Sequence, residues 1–373
     1  MAGIYVHIPL CSSRCHYCDF YSSTNLNVRD ELVDSLCSEI KQRKNYLDGQ
    51  TIKTIYVGGG TPSMLNPEHL EKIFNTILTE HDCELEEVTV ECNPDDLTQS
   101  FIDGLKKTPA NRVSMGIQSF DDRELKLINR RHTAAEAVDA VKRLQDNGIS
   151  NISIDLIYGL PNQSMDRWTD NIMKALQLNV PHISAYSLTY EEGTVLHNWL
   201  KQGKIAAVDD NTSLEMFKTL RHELQNAGYE HYEISNYAKS GMRAKHNSSY
   251  WNGTPYLGIG PSAHSFDGTS RQWNIADSKL YMKGIAENNP QTEHEVLTET
   301  EMFEEFVMTR MRTADGIALD ELKNKFRNLA SRCLKSSQKH IECGNLIEAD
   351  GHLRLSEKGI FVSDGIIVDM IDC

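Results

Sequence analysis

Three cysteines crowd into eight residues, Cys11, Cys15 and Cys18, in a Cx3Cx2C spacing. Thiolates are soft ligands, and three on one short loop can hold three irons of a cubane cluster or three corners of a zinc site. Three ligands for four irons leave one iron open to another molecule. A zinc site is completed instead by a fourth side chain, for which His7 and His16 are the neighbours; the spacing favours the cluster. A second group is Tyr56-Val-Gly58-Gly59-Gly60-Thr61-Pro62. Consecutive glycines let a ligand approach bare backbone N–H and C=O groups, although a plain tight turn reads the same way.

Strands and helices must bring these residues together. Ile4–Ile8, Thr54–Val57, Val88–Cys92, Arg112–Gly116, Asn151–Leu156 and His182–Ser187 are short β-rich runs. Between them, segments such as Arg29–Tyr46, Pro67–Leu78, Ala134–Asn147 and Met165–Leu178 carry apolar residues at helical spacing. About six βα units in succession predict an α/β fold with a parallel sheet and right-handed crossovers. Polar or glycine-rich residues stand in or just after every run: Cys11, Gly58–Thr61, Glu91, Gln118, Asp155 and Tyr186. A single mouth at the carboxyl ends of barrel strands collects them all, and six units rather than eight predict an incomplete (βα)6 TIM-like barrel. This first unit is expected to span 1–229. Residues 230–300 read as an irregular segment rich in Tyr, His, Asn and Gly. Residues 301–373 read as helices followed by a hairpin, a winged-helix-like module.

The chain has 373 residues, 39% apolar and 24% charged, the profile of a globular protein with a sizeable core. Its formal charge of −15 repels nucleic acid unless a basic patch intervenes, and the last segment is itself net acidic, so nucleic acid is not an expected partner. No stretch approaches the ~20 apolar residues of a membrane span, and Met1–Val6 leaves no room for a secretory signal. A cytoplasmic location, peripheral to a membrane at most, is the expectation. Nine cysteines without a leader argue for metal or redox use of the clustered three; the scattered six, Cys373 among them, read as inert thiols.

The Cx3Cx2C followed by Phe20 and then by Gly-Gly-Gly-Thr-Pro resembles the radical S-adenosylmethionine (SAM) superfamily. Glu91-Cys-Asn-Pro94, Arg112-Val-Ser-Met-Gly-Ile-Gln118-Ser-Phe120, Arg130-Arg-His132 and Asp155-Leu-Ile-Tyr-Gly-Leu-Pro161 narrow the resemblance to the oxygen-independent coproporphyrinogen III oxidase family, over nearly the whole chain. The resemblance implies a [4Fe–4S] cluster on Cys11, Cys15 and Cys18, whose open iron chelates SAM. One-electron reduction then cleaves SAM to methionine and a 5′-deoxyadenosyl radical. It also implies that Gly59, Gly60 and Thr61 meet the methionine end of SAM. Glu91 suits a cationic or hydroxyl group, Gln118 and Asp155 suit the ribose, Arg130 (or its neighbour Arg131) clamps a carboxylate, and Tyr5 walls the site.

Two departures matter. Phe20 stands where the oxidase proper has a fourth cysteine, and only ten residues precede Cys11 where the oxidase has a long extension. Both match the heme-chaperone (HemW) branch, which has an HNxxYW motif, here His246-Asn-Ser-Ser-Tyr250-Trp251. Imidazole is a good axial ligand for heme iron and the two rings offer flat faces to a porphyrin, so the resemblance implies heme contact at His246, Tyr250 and Trp251, with His264 as rival ligand. The implied partners are heme, apo-hemoproteins of the respiratory chain and an electron donor for the cluster. The alternative function is oxidative decarboxylation of coproporphyrinogen III. A zinc module with a nucleic-acid-binding tail is a third reading, disfavoured by the charge.

Overall fold

The computed structural model describes residues 1–372; Cys373 lies outside the described residues. The chain opens with β1 (Ala2–Ile8), α1 (Arg29–Gln42), β2 (Ile52–Gly59), α2 (Pro67–Glu80), β3 (Cys83–Cys92), α3 (Gln99–Leu105) and β4 (Arg112–Gln118). It continues with α4 (Asp122–Leu127), α5 (Ala134–Asp146), β5 (Ile152–Tyr158), α6 (Met165–Gln177), β6 (His182–Ser187), α7 (Val195–Lys201) and α8 (Asp210–Asn226). Strands β1 to β6 pair in sequence order, all parallel. They form the expected α/β partial barrel, and their carboxyl ends form its mouth.

Each strand alternates. Ile4, Val6 and Ile8 of β1, Ile55 and Val57 of β2, Val113 and Met115 of β4, and Ile152, Ile154 and Leu156 of β5 are buried in one hydrophobic cluster. Leu32, Leu36 and Ile40 of α1, Ile73 and Phe74 of α2, and Trp168 and Ile172 of α6 join the same cluster. Each fully buried Ile or Leu there contributes about 1.5–3 kcal/mol. The residues between them face the other way, into the barrel, and are mostly polar: Thr54, Thr89, Arg112, Ser114, Ser153, His182 and Ser184 are all buried. Parallel barrels usually fill this interior with branched aliphatics; here it is a polar space.

The segment 230–300, expected to be irregular, extends the same sheet. It supplies β7 (Glu230–Glu233), β8 (Asn236–Ala238), α9 (Lys245–Asn252), β9 (Tyr256–Ile259), β10 (His264–Phe266), β11 (Ser270–Asn274), α10 (Ser278–Ala286) and β12 (Thr292–Val296). The twelve-stranded order is β12-β11-β10-β9-β1-β2-β3-β4-β5-β6-β8-β7, with two free ends, so the barrel is open. Strands of three to five residues carry too few positions for a period to show, which is why the sequence reads as irregular there.

The tail folds as α11 (Glu299–Arg310), β13 (Ile317–Ala318), α12 (Leu319–Lys325), α13 (Arg327–Glu342), β14 (Leu346–Ala349), β15 (His352–Leu355), α14 (Glu357–Ile360) and α15 (Ser363–Ile371). Its three-stranded sheet, β13-β15-β14, packs with the helices around Phe303, Phe306, Leu322, Leu353 and Ile366. Among the described residues no helix is long and apolar enough to cross a membrane.

Candidate functional site

The cysteine loop follows β1 and is pinned at both ends. Leu10 bridges Ser23, the Cys11 N–H donates to the Ser23 carbonyl at 3.0 Å, and the Ser23 N–H donates back to Pro9 at 2.6 Å. Its tip is held from above α4: the His16 N–H reaches the Ile128 carbonyl at 3.1 Å, the His16 Nδ1 reaches the Leu127 carbonyl at 2.8 Å, and Asn129 donates to the Arg14 carbonyl at 2.7 Å. The loop thus rests on the last carbonyls of a short helix, groups that need donors anyway.

The three sulfurs face a cavity of about 590 Å3 at the mouth, within the range of small-molecule sites. Cys11, Cys15, Cys18, Gly59, Gly60, Thr61, Glu91, Gln118, Arg130 and Asp155 all line it. Tyr5 does not. Its hydroxyl pairs with His7 Nδ1 at 3.0 Å and its ring packs against Tyr56, whose own hydroxyl reaches the lining residue Glu91 at 2.7 Å. Tyr186, expected at the mouth, lines it as well. Residues that were given no role also line the cavity: Tyr17, Asn93 and Ser114, which lie inside the quoted motifs, and Leu188, which lies in none.

The glycine run is explained by approach distance. A Cβ on Gly59 would sit 2.5 Å from the His7 ring, and one on Gly60 would sit 2.9 Å from the carbonyls of Ile8 and Leu10. Glycine therefore lets β2 end directly against the start of the cysteine loop. Gln118, at the end of β4, has a left-handed backbone with φ +69°, uncommon for a side chain of its size.

Donors surround the sulfurs. Thr61 Oγ1 lies 3.6 Å from Cys11 Sγ, and Arg130 Nη1 lies 3.5 Å from Cys15 Sγ. Arg130 also donates to Asn93 Oδ1 at 2.6 Å and to the Gly116 carbonyl, while its buried Nε has no partner among the described residues. Arg131 is held elsewhere, by Asp96 at 2.9 Å and Asp95 at 3.0 Å. The structure thus brings Arg130, rather than Arg131, against the cysteines. Burial pushes the Cys11 thiol up and the Cys18 thiol up to about 11, so metal must replace protons to bind there.

Two acids, Glu91 and Asp155, line the same cavity. Glu91 accepts from Tyr56 at 2.7 Å and from the Gly59 N–H at 3.1 Å. Burial nonetheless raises its carboxyl to about 7, and burial raises Asp155 to about 6. Carboxylates held in so dry a place favour a cation or hydroxyl donors beside them.

These groups fit the expected cofactors. Among the described residues no three His, Cys, Asp or Glu side chains gather closely enough for one metal ion, and both ring nitrogens of His7 are engaged, by Tyr5 and by the Tyr21 carbonyl. A zinc centre completed by His7 is therefore not built. A cluster takes each thiolate on a separate iron, and the unpartnered Arg130 donor and the raised carboxyls match the carboxylate, amine and hydroxyls of SAM.

The HNxxYW motif lies at the other end of the barrel. Helix α9 plugs its base, and Glu87 on β3 accepts from the Lys245 N–H at 2.8 Å and the His246 N–H at 3.0 Å, capping the helix. His246 is 1% exposed. Its Nδ1 pairs with Thr54 Oγ1 at 2.8 Å, its Nε2 with the Tyr250 hydroxyl at 3.0 Å, and its ring stacks on Tyr56. Burial, then the charge of Arg112, lowers its pKa to about 3. The expected heme-ligand role of His246 is not met in this arrangement, because neither ring nitrogen has a lone pair or proton to spare. Tyr250 is turned inward against His246 and Tyr256, and Arg310 Nη1 donates to the Trp251 backbone carbonyl at 2.7 Å.

The radical SAM superfamily model matches residues 5–175, and the HemN C-terminal domain model matches residues 297–362. The chain is 36% identical over 324 residues to the heme chaperone HemW of Lactococcus lactis, covering 87% of this chain and 84% of that one. It is 34% identical to the heme chaperone HemW of Bacillus subtilis, covering 96% of each. This chain belongs to the HemW family of radical SAM proteins. Family membership implies a [4Fe–4S] cluster and SAM. The chain is also similar to a mitochondrial protein of Bos taurus, radical S-adenosyl methionine domain-containing protein 1, 32% identical over 99% of this chain and 87% of that one. Coproporphyrinogen III oxidase (HemN) of Escherichia coli has a similar fold, with a TM-score of 0.84 over 99% of this chain and 89% of that one, at 20% identity.

Proposed function

We propose that this HemW-family chain is a heme chaperone. It holds a [4Fe–4S] cluster and SAM at the barrel mouth, binds heme, and hands it to apo-hemoproteins such as those of the respiratory chain. One observation carries the reading: the kinship with proteins named heme chaperones runs over 96% of both chains in the Bacillus subtilis case, barrel and tail together.

Cys11, Cys15 and Cys18 would hold the cluster, with Thr61 and Arg130 donating toward two of the sulfurs. When bound, the cluster supplies an electron to SAM, itself refilled by an electron donor. Arg130 directs its free Nε and guanidinium charge to a carboxylate. Gly59, Gly60 and Thr61, which line the cavity, would meet the methionine end. Gln118 and Asp155 would accept from ribose hydroxyls, and Glu91 would suit the positive end of the ligand. The low-dielectric cavity strengthens each of these contacts.

The oxidase reading draws on the motifs shared with that family, on the HemN C-terminal domain match and on the fold. Against it stands Phe20, 64% exposed at the cavity rim, in the place of the oxidase's fourth cysteine. Anaerobically reconstituted protein should bind ferric heme and transfer it to an apo-cytochrome, and should form no vinyl product from coproporphyrinogen III with SAM and reductant. Vinyl-bearing porphyrinogen would replace this reading with the alternative. Failure to bind heme would remove it.

A further inference from the structure

Alternate residues of β2 share the inner face of the barrel, and Tyr56 is the long one among them. It connects the base to the mouth. Its ring stacks on His246 of α9, with centroids 5.2 Å apart and 29° between planes. Its hydroxyl donates to Glu91 Oε1 at 2.7 Å, and the Gly59 N–H donates to Glu91 Oε2 at 3.1 Å. Gly58 leaves room for the pair. A Cβ there would sit 2.7 Å from the Tyr56 ring and 2.9 Å from the Glu91 carboxyl carbon. The first glycine of the run thus lets the Tyr56 ring and the Glu91 carboxylate meet.

The Tyr56 ring has little freedom. His246 lies against it, Tyr5 flanks it with centroids 6.2 Å apart, and the residue is buried. His246 is itself fixed by Thr54 and Tyr250. Its helix is held at the start by Glu87 and at the end by Arg310, which donates to the Trp251 and Asn252 carbonyls. A ring backed in this way offers its hydroxyl in one place. The other ionisable groups around Glu91 are Arg112 of β4, Asp155 of β5, Tyr186 of β6, Tyr5 of β1 and Tyr250 of α9. None of them bonds its carboxylate. Tyr56 and the Gly59 N–H are its donors among the described residues.

We propose that Tyr56 is a positioning residue: it holds the Glu91 carboxylate where it meets the positive end of SAM, with His246 of the HNxxYW motif as the surface behind its ring. This role rests on the SAM part of the function proposed above. A buried carboxylate that loses a donor takes up a proton or turns toward another partner, and either change removes the acceptor a cation needs. A tyrosine hydroxyl bonds the charged form of the acid and brings no positive charge of its own. A lysine or arginine in its place would neutralise the acid and compete with the cationic ligand. The HNxxYW helix, whose histidine has no ring nitrogen to spare, therefore acts on the mouth through Tyr56 without touching the ligand.

The test is a double-mutant cycle on cluster-loaded, full-length protein, read anaerobically by equilibrium dialysis with SAM. Tyr56→Phe keeps the ring and its stack and loses only the hydroxyl; it should weaken SAM binding about tenfold. Glu91→Gln should weaken it at least as much, and adding Tyr56→Phe to Glu91→Gln should change it less than about twofold. His246→Ala should weaken SAM binding about threefold where Tyr56 is present and less than about twofold in Tyr56→Phe. A second readout needs no SAM: the infrared carboxyl stretch of protonated Glu91, assigned by its loss in Glu91→Gln and followed against pH. Its midpoint, about 7 in the unchanged protein, should rise by about one unit in Tyr56→Phe, because the lost bond favoured the charged form. Circular dichroism and iron content report that each variant is folded and loaded. Unchanged SAM affinity in Tyr56→Phe, or an equal loss with and without Glu91, would overturn the positioning role and leave the SAM reading in place. Unchanged affinity in Glu91→Gln would overturn the role of Glu91 and the inference with it. No SAM binding by the unchanged, cluster-loaded protein would overturn the SAM reading itself.

Discussion

The mouth and the base of the barrel are both lined by buried polar side chains, yet they have opposite chemical character. At the base, His246, Tyr250, Thr54 and Glu87 satisfy one another, and His182 is likewise held by Ser153 at 2.7 Å and Tyr232 at 2.8 Å. At the mouth, hydrogen-bonding capacity is left over. Arg130 keeps an unpartnered Nε, Glu91 and Asp155 are raised toward neutrality, and three thiols face a cavity. A buried polar group fully paired with its neighbours stabilises and specifies the fold. One held in place with capacity unused is costly to the folded state, and the cost is offset only when a ligand arrives.

The largest effect should come at the mouth. Cys11→Ala, Cys15→Ala and Cys18→Ala each should abolish the brown absorbance near ~400 nm and the iron and sulfide content of anaerobically reconstituted protein. The thermal midpoint of the metal-free protein should barely move. Full iron and sulfide in any one variant would dissolve the contrast at its strongest point.

His246→Ala should act in the reverse way. It leaves Thr54 and Tyr250 without partners and opens a cavity under α9, which should lower stability by about 3 kcal/mol in urea unfolding. The cluster content and heme affinity of the folded fraction should be unchanged. A loss of heme affinity without loss of stability would mean that the base, too, is a ligand site.

The smallest effect sharpens the contrast by pH. Burial raises the Glu91 carboxyl from 4.5 to about 7, so folding takes up a proton there. That contribution is complete below pH 4.5 and is lost as pH rises through 7. Relative to the unchanged protein, Glu91→Gln should therefore gain about 2–3 kcal/mol of stability between pH 5 and pH 8. Thr54→Val, at the base, should cost about 1–3 kcal/mol by the same amount throughout that window. Parallel pH profiles for the two variants would show that the mouth is no more strained than the base.

Much of this was legible from residues alone. Periods of two and of about 3.6 gave the six parallel units because each strand and helix there is long enough to repeat. The cysteine loop, the glycine run and the acids at strand ends were legible because a parallel barrel gathers carboxyl ends at one mouth. Short strands β7 to β12 were hidden by their length. His246 was misread because its Thr54 partner lies 192 residues away. Its other partner, Tyr250, four residues on, shares a helix face with it and was the available clue. The depth of Tyr5 was not legible, since a strand's period tells which face a residue takes but not its depth.

The order of residues by itself determined the αβ succession, the trio of thiols and the polar inner face of every barrel strand, because these depend on local period and residue type. Only the tertiary structure decided which polar groups find partners. That choice separates Arg130 from Arg131 and leaves His246 bonded at both ring nitrogens. Hydrogen bonds and burial are set by neighbours brought from distant parts of the chain, and no local pattern records them.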